Sequence, residues 1–350
     1  MTRPSVHFQR GSFMLKCGIV RCLGLVFLFS AFATARAATE LNVGYIPILP
    51  MSQLFVMEGE GWTKEAGLEL KKTRFAEGPG IVQALASGTL DVVYFGIGPA
   101  LVARSNGIDI RVLASNVVEQ VALVVRGDLA SAAKGVEPKK AIAAFTAAQG
   151  RKPKIATLPK GSVPDTVLRR WLIKTLGLAE NDVEIVGMGA DRVQQALLSG
   201  AVDGASILEP TVTLVLDKDP NAYVMAYGAE LMPNQPGAVL AVRTALLKEK
   251  PDAIRKLVEL HKRATEELNK DPKRATPHVY DAVAKGLIPV ALVEKALISP
   301  YSKFTANPHQ IVQATKEMRD FQTEIGVLRS AVDVDELFDM TFYDGATAGQ

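Results

Sequence analysis

Residues 83–99, QALASGTLDVVYFGIGP, recur at residues 195–210 as QALLSGAVDGASILEP, and this recurrence restricts the chain to folds that hold two similar units. Each copy opens on an apolar helical end and passes a Ser-Gly suited to a left-handed helix stop. It then reaches Asp91 or Asp203 before a short strand-like run closed by proline. At the same offset LNVGYIP (residues 41–47) falls on PKIATLP (residues 153–159), so a strand followed by proline precedes each copy. Two matches in register read as a duplicated α/β unit.

Taken in order, the patterning predicts strand 41–46, helix 52–66, strand 68–75, a helix opened by Gly78-Pro79, strand 91–95 and a helix after Gly96. Alternation of strand and helix is the grammar of a parallel sheet. Strands 111–114 and 121–126 are expected to complete the first unit. The second repeats the order with strands at 154–156, 183–186 and 204–208, and its helix into QALLSG is capped at Ala190-Asp191. After strand 238–243 the pattern is helical and leaves no strand for a third sheet, so the chain is expected to cross back near 239–242 and pack on the first unit. The expected division is 1–37 as a leader, 38–125 with 239–350 as one lobe, and 126–238 as the other.

At 350 residues with 48% hydrophobic content, the chain supplies a core for each of two units. The 40 basic and 37 acidic residues include no basic run of the kind that marks nucleic-acid binding. Arg10, Lys16 and Arg21 precede the apolar run 23–29, and Ala35-Arg36-Ala37 follows as a small-x-small cleavage site, the layout of a secretory signal. That run is shorter than the roughly 20 residues of a membrane span. Whether Met1 or Met14 starts the protein stays open. Cys17 and Cys22 both lie in this leader, so the chain beyond Ala37 has no thiol, and a lipid-bearing cysteine after the apolar run is absent. Soluble export to the periplasm is the expected outcome.

An enzyme needs a reacting group, and few are on offer. His7 lies in the leader, and His261, His278 and His309 lie in the helical tail. No H-E-x-x-H, G-x-S-x-G or G-x-x-x-x-G-K-[ST] occurs. We therefore expect no catalysis, no metal and no cofactor. The loops after strands are more informative, because ligands of open α/β sheets sit beyond the carboxyl ends of strands, where helix N-termini present free amides. Residues 47–52, 78–80, 96–99 and 160–165 are rich in Gly and Pro and leave room for an anion against the backbone. Plain helix capping explains any single one of them equally well; four together on duplicated units suggest a cleft. Ser162 is the leading oxyanion contact, with a simple N-cap as the alternative. Glu209 at a strand end faces either the cleft or solvent. Asp91 and Asp203 are expected to bond turn backbone rather than ligand.

At these residues the chain resembles the periplasmic solute-binding proteins of nitrate, sulfonate and taurine ABC importers. The resemblance rests on VGYIP, FAEGPGIVQALASGTLDVVYFGIGPALVARSNGIDIRVLA, LPKGSVPDTVLRRWL and ALLSGAVDGASILEP. It implies a type II periplasmic-binding fold, two α/β lobes joined by a hinge with the ligand cleft between them. It also implies a monomer that passes a small organic anion to a permease and its ATPase. Carried over by residue, the ligand loops fall on Ile48, Leu49, Gly78, Pro79, Ile97, Gly98, Gly161, Ser162, Val163 and Glu209. Many relatives carry an aromatic residue before the Glu-Pro; here it is Leu208, which argues against a taurine-like solute. Ile48, Leu49, Met51 and Leu208 beside amide-rich loops favour an alkyl or aryl sulfonate. Nitrate or bicarbonate would call for more charge than Lys160 supplies, and a pyrimidine or thiamine precursor would stack on Tyr45, Tyr94 or Phe95. An enzyme or sensor using the same cleft is the remaining alternative.

If the leader is read correctly, intact-mass measurement of the exported protein will give a chain beginning at Ala38. An uncleaved or lipidated N-terminus would overturn that reading.

Overall fold

The repeat survives as hydrogen bonds. In the computed structural model, which describes residues 38–346, strand β1 (Thr39–Tyr45) runs parallel to both β2 (Leu68–Arg74) and β3 (Val92–Gly96). The Asp91 amide donates to the Asn42 carbonyl at 2.8 Å, and the Asp91 carboxylate accepts from the Asn42 amide at 3.0 Å. In the second copy the Asp203 amide donates to the Lys154 carbonyl at 2.9 Å and its carboxylate accepts from the Lys154 amide at 2.8 Å. Each aspartate thus ties its own strand to the first strand of its unit, rather than to the turn before it. Gly88 and Gly200, at φ 73° and 78°, make the left-handed stops that aim the two aspartates.

The first sheet has the order β2-β1-β3-β11-β4, where β4 is Ile110–Ser115 and β11 is Ala238–Arg243. Between β4 and β11 along the chain come β5 (Val117–Val118), β6 (Ala122–Val125), β7 (Lys154–Thr157), β8 (Glu184–Gly187), β9 (Gly204–Ile207) and β10 (Tyr223–Tyr227). The second sheet, read from its other edge, is β8-β7-β9-β6-β10. The two orders correspond strand for strand. In each the fourth strand is antiparallel to both neighbours and arrives from across the molecule, β11 into the first sheet and β6 into the second.

This corrects one expectation, since residues 121–126 do not complete the first unit. The run Ala122–Val125 is buried on both faces and so needs a ladder on each side, which β9 and β10 provide. A third, two-stranded ladder also exists, β5 against β12 (Lys303–Phe304). The return strand is where the sequence placed it, and residues 239–242 are wholly buried at the centre of the first sheet. The expected helix 52–66 is broken at Gly61, φ 78°, into Ser52–Gly59 and Trp62–Glu65. The leader with its two cysteines lies outside the described residues. Among those described, no helix is long and apolar enough to cross a membrane.

Two crossings join the sheets, residues 116–121 and 228–237, and they are stitched together. Glu119 N donates to Gln235 O at 2.9 Å, Gly228 N to Val121 O at 3.0 Å, and Val121 N to the Gln235 side chain at 3.2 Å. Beneath them the helix Pro251–Lys270 sends His261, fully buried, to the Ser115 carbonyl at 2.7 Å. Its ring tilts over Tyr94 with centroids 5.8 Å apart.

Burial drives the His261 imidazole from 6.5 down to about 4, against the bond to Ser115. Between those values the unfolded chain takes up a proton that the folded protein refuses. Stability is therefore full above about pH 6.5 and falls by about 3 kcal/mol by pH 4. Glu209 and Asp165, both raised by burial, act in the opposite sense as pH falls. Asp91 and Asp203 resist the desolvation of burial through their arginine and backbone partners and stay below the usual carboxylate value, so they weaken the fold only below this window. Melting curves from pH 7 to 4 should lose much of their slope in His261→Gln, which keeps a donor for Ser115 and does not titrate. An unchanged slope would show that another group carries it.

Candidate functional site

Because β1, β2 and β3 are parallel, and likewise β7, β8 and β9, the loops that leave their carboxyl ends gather on one edge of each sheet. The two edges meet. Leu49 N donates to the Glu209 carbonyl at 3.3 Å, joining the loop after β1 to the loop after β9. A β-carbon built on Gly98 would stand 2.4 Å from the Gly161 carbonyl oxygen and 3.2 Å from the Ser162 carbonyl carbon. Only a residue without a side chain permits that approach. Gln322, on the helix Val312–Glu324 and wholly buried, donates to the Gly161 carbonyl at 3.0 Å and to the Thr166 hydroxyl at 2.9 Å.

Between the edges lies a cavity of about 20 Å³, far below the several hundred Å³ of a ligand-filled pocket. The arrangement is a closed one. Of the ten residues predicted from sequence, Ile48, Gly78, Ser162 and Val163 line this cavity. Pro79 and Gly161 line a neighbouring hollow instead. Leu49 and Ile97 are buried in the core, and the Ile97 amide is occupied by the Gly237 carbonyl at 2.9 Å. Gly98 serves the close approach just described.

The expected anion nest before the helix Val163–Arg170 is thinner than its sequence suggests. Gly161 N donates to the Asp165 carboxylate at 3.1 Å and Ser162 N to the Pro159 carbonyl at 2.9 Å, so two of three amides have internal partners. The Ser162 Oγ accepts from Asp165 N at 3.3 Å as an N-cap. Its hydroxyl proton and the first-turn amide of Val163 remain as donors. Burial raises Asp165, although Arg169 at 2.8 Å opposes this.

Glu209 does not extend its carboxylate into the cavity. Its oxygens accept from the Thr213 amide at 2.9 Å and the Thr213 hydroxyl at 2.7 Å, in the first turn of the helix Thr211–Lys218. Burial raises its pKa against those bonds. The part of Glu209 that reaches the opposite edge is its carbonyl.

Sequence reasoning missed Gln120. It lies in the first crossing, is 2% exposed, lines the cavity, and its Oε1 is buried without a partner. A lone glutamine between two strands carries no local signal, and only the crossing of the chain brings it to the cleft. The cavity lining is free of ionised side chains: apolar Ile48, Met51 and Leu208 sit beside the polar Ser162 and Gln120. Among the described residues, no group of three His, Cys, Asp or Glu is placed to hold a metal ion.

A family model described as the NMT1-like family matches residues 34–280. The chain is 26% identical over 348 residues to a putative aliphatic sulfonates-binding protein of Bacillus subtilis, covering 94% of this chain and 96% of that protein. It superimposes on the alkanesulfonate-binding protein SsuA from Xanthomonas axonopodis pv. citri bound to MOPS with a TM-score of 0.70 at 18% identity, covering 87% of this chain and all of the other. With the periplasmic nitrate-binding protein NrtA from Synechocystis PCC 6803 the TM-score is 0.75 at 15% identity, covering 89% of each. The architecture is the type II periplasmic-binding fold.

Gly98 offers a clean test of closure. It lies inside the helix Ile97–Ser105, where alanine is favoured over glycine by up to about 1 kcal/mol, so Gly98→Ala should melt no lower than the parent. Its methyl meets the Gly161 carbonyl only when the edges touch. Small-angle scattering should therefore give a larger radius of gyration for Gly98→Ala, and an unchanged radius would mean that the loops give way instead.

Proposed function

Because this chain belongs to the NMT1-like family, we propose that it is the solute-binding component of an ABC importer, one that closes two lobes on a small organic anion. The single observation that carries this reading is the meeting of strand-end loops from both sheets around a cavity lined without any ionised side chain. Such a site holds a ligand by shape and neutral donors, and with so little room it has to open to load. The two stitched crossings are the hinge. The lobe carrying β11 and the C-terminal helices moves against the lobe carrying β6 to β10.

An aliphatic or aryl sulfonate fits best. Ser162 and the Val163 amide supply donors for its oxygens, while Ile48, Met51 and Leu208 supply an apolar wall for its body. The relative named for aliphatic sulfonates and the likeness to a sulfonate-binding protein with MOPS support the same class. The protein works in the periplasm as a monomer and hands its solute to a membrane permease driven by an ATPase. A second reading, nitrate or bicarbonate, is favoured by the small size of the cavity.

A thermal-shift screen with alkyl and aryl sulfonates, nitrate, bicarbonate and pyrimidines should raise the melting temperature most with a sulfonate. With that sulfonate, Ser162→Ala should lose about 1–2 kcal/mol of affinity, roughly five- to thirtyfold. Loss of the cap should also lower its stability by about 1 kcal/mol. Ser162→Asp should bind worse still, because a carboxylate stands where the anion belongs. Calorimetry showing Ser162→Asp binding as tightly as the parent would remove Ser162 from the site, and a screen answered only by uncharged pyrimidines would remove the anion.

A further inference from the structure

Next to the closed cavity is a second hollow of about 450 Å³, a size within the roughly 300–1,000 Å³ of small-molecule sites. Pro99 and Ser162 line both spaces, so one layer of residues separates them. One wall is formed by the helices Gly78–Ala86 and Ile97–Ser105, through Val82, Ala86 and Val102. The facing wall is the turn at residues 160–162, which belongs to the second sheet's side of the cleft. The lining is mostly apolar. Its ionisable side chains are Lys160 and Arg329, both cationic, both exposed, and neither in an ion pair among the described residues. The acid of that turn, Asp165, is buried and held by Arg169 and the Gly161 amide, so it does not neutralise them.

We propose that this hollow is a second binding site, for an organic anion with an apolar body. The acidic head is met by the Lys160 ammonium and the Arg329 guanidinium, groups whose charged donors suit sulfonate and carboxylate oxygens. The body lies along Val82, Ala86 and Val102. Since the two walls come from opposite sides of the cleft, they face each other only while Gly98 and Gly161 are in contact. An anion in the hollow therefore binds the closed form better and shifts the lobes toward it. By linkage it tightens the hold on a solute in the inner cavity by the same factor that the solute tightens it. The site stands whether or not the inner cavity carries a transport solute.

The probe is 8-anilinonaphthalene-1-sulfonate, an anion with an apolar body whose fluorescence rises on binding. The parent should bind it at one saturable site, weakening with salt. The double substitution Lys160→Glu with Arg329→Glu, at exposed positions, should leave the melting temperature unchanged and lower the dye affinity at least tenfold. Ala86→Glu, exposed and on the wall of the hollow alone, should do the same. Leu208→Phe, which crowds only the inner cavity and is checked by its melting curve, should keep parental dye affinity. Equal dye affinity in the charge-reversed protein overturns the proposal. Loss in Leu208→Phe without loss in Ala86→Glu puts the dye in the inner cavity, which also overturns the second site and leaves the transport reading intact.

Discussion

The architecture hangs on a pair of aspartate clasps. Asp91 and Asp203 each return both backbone and side chain to the first strand of their own unit, and each is backed by an arginine, Arg243 at 2.7 Å and Arg151 at 2.6 Å. The clasp fixes where β3 and β9 begin relative to β1 and β7. It thereby fixes the height at which the loops after those four strands leave their sheets. Registered strands put all the loops on one edge, and a cleft follows from two such edges facing each other. The clasping carboxylates are structural, which explains why charged groups recur in the repeat without lining the cavity.

Closure, by contrast, depends on backbone rather than charge. Gly98 against the Gly161 carbonyl and Leu49 N against the Glu209 carbonyl bring the main chains of the two sides together. The Gln322 amide holds Gly161 from the helix behind it. Its reach to Thr166 as well ties the C-terminal helices to the far side, so closure engages more than the hinge. Exposed ion pairs across the same seam, such as Lys174 with Glu324 at 2.6 Å, contribute little by comparison.

The chemistry of the cavity follows from which donors the fold has already used. Gly-rich loops read as amide donors, but a buried amide without a partner is costly, and this protein answers several of them internally, through Asp165, Pro159 and Gly237. What remains is a short set of neutral donors beside an apolar wall, together with the orphaned Gln120 oxygen. That combination favours a ligand with an oxygen-rich end and an apolar end over a bare inorganic ion.

The sequence by itself determined the duplicated α/β unit, the strand-end loops and the return of the chain at β11, because these rest on local periodicity, on glycine stops and on a repeat that sits in one string of residues. Ile48, Gly78, Ser162 and Val163 were legible for the same reason, each lying where a strand gives way to a helix. Only the tertiary structure decided that Ala122–Val125 joins the second sheet, since a strand buried on both faces takes whichever partners its backbone can reach across the molecule. It alone decided that Glu209 turns its carboxylate into its own helix and that Gln120 and Gln322 stand at the cleft. Side-chain direction and donor occupancy depend on neighbours up to 161 positions away, and no local pattern carries that information.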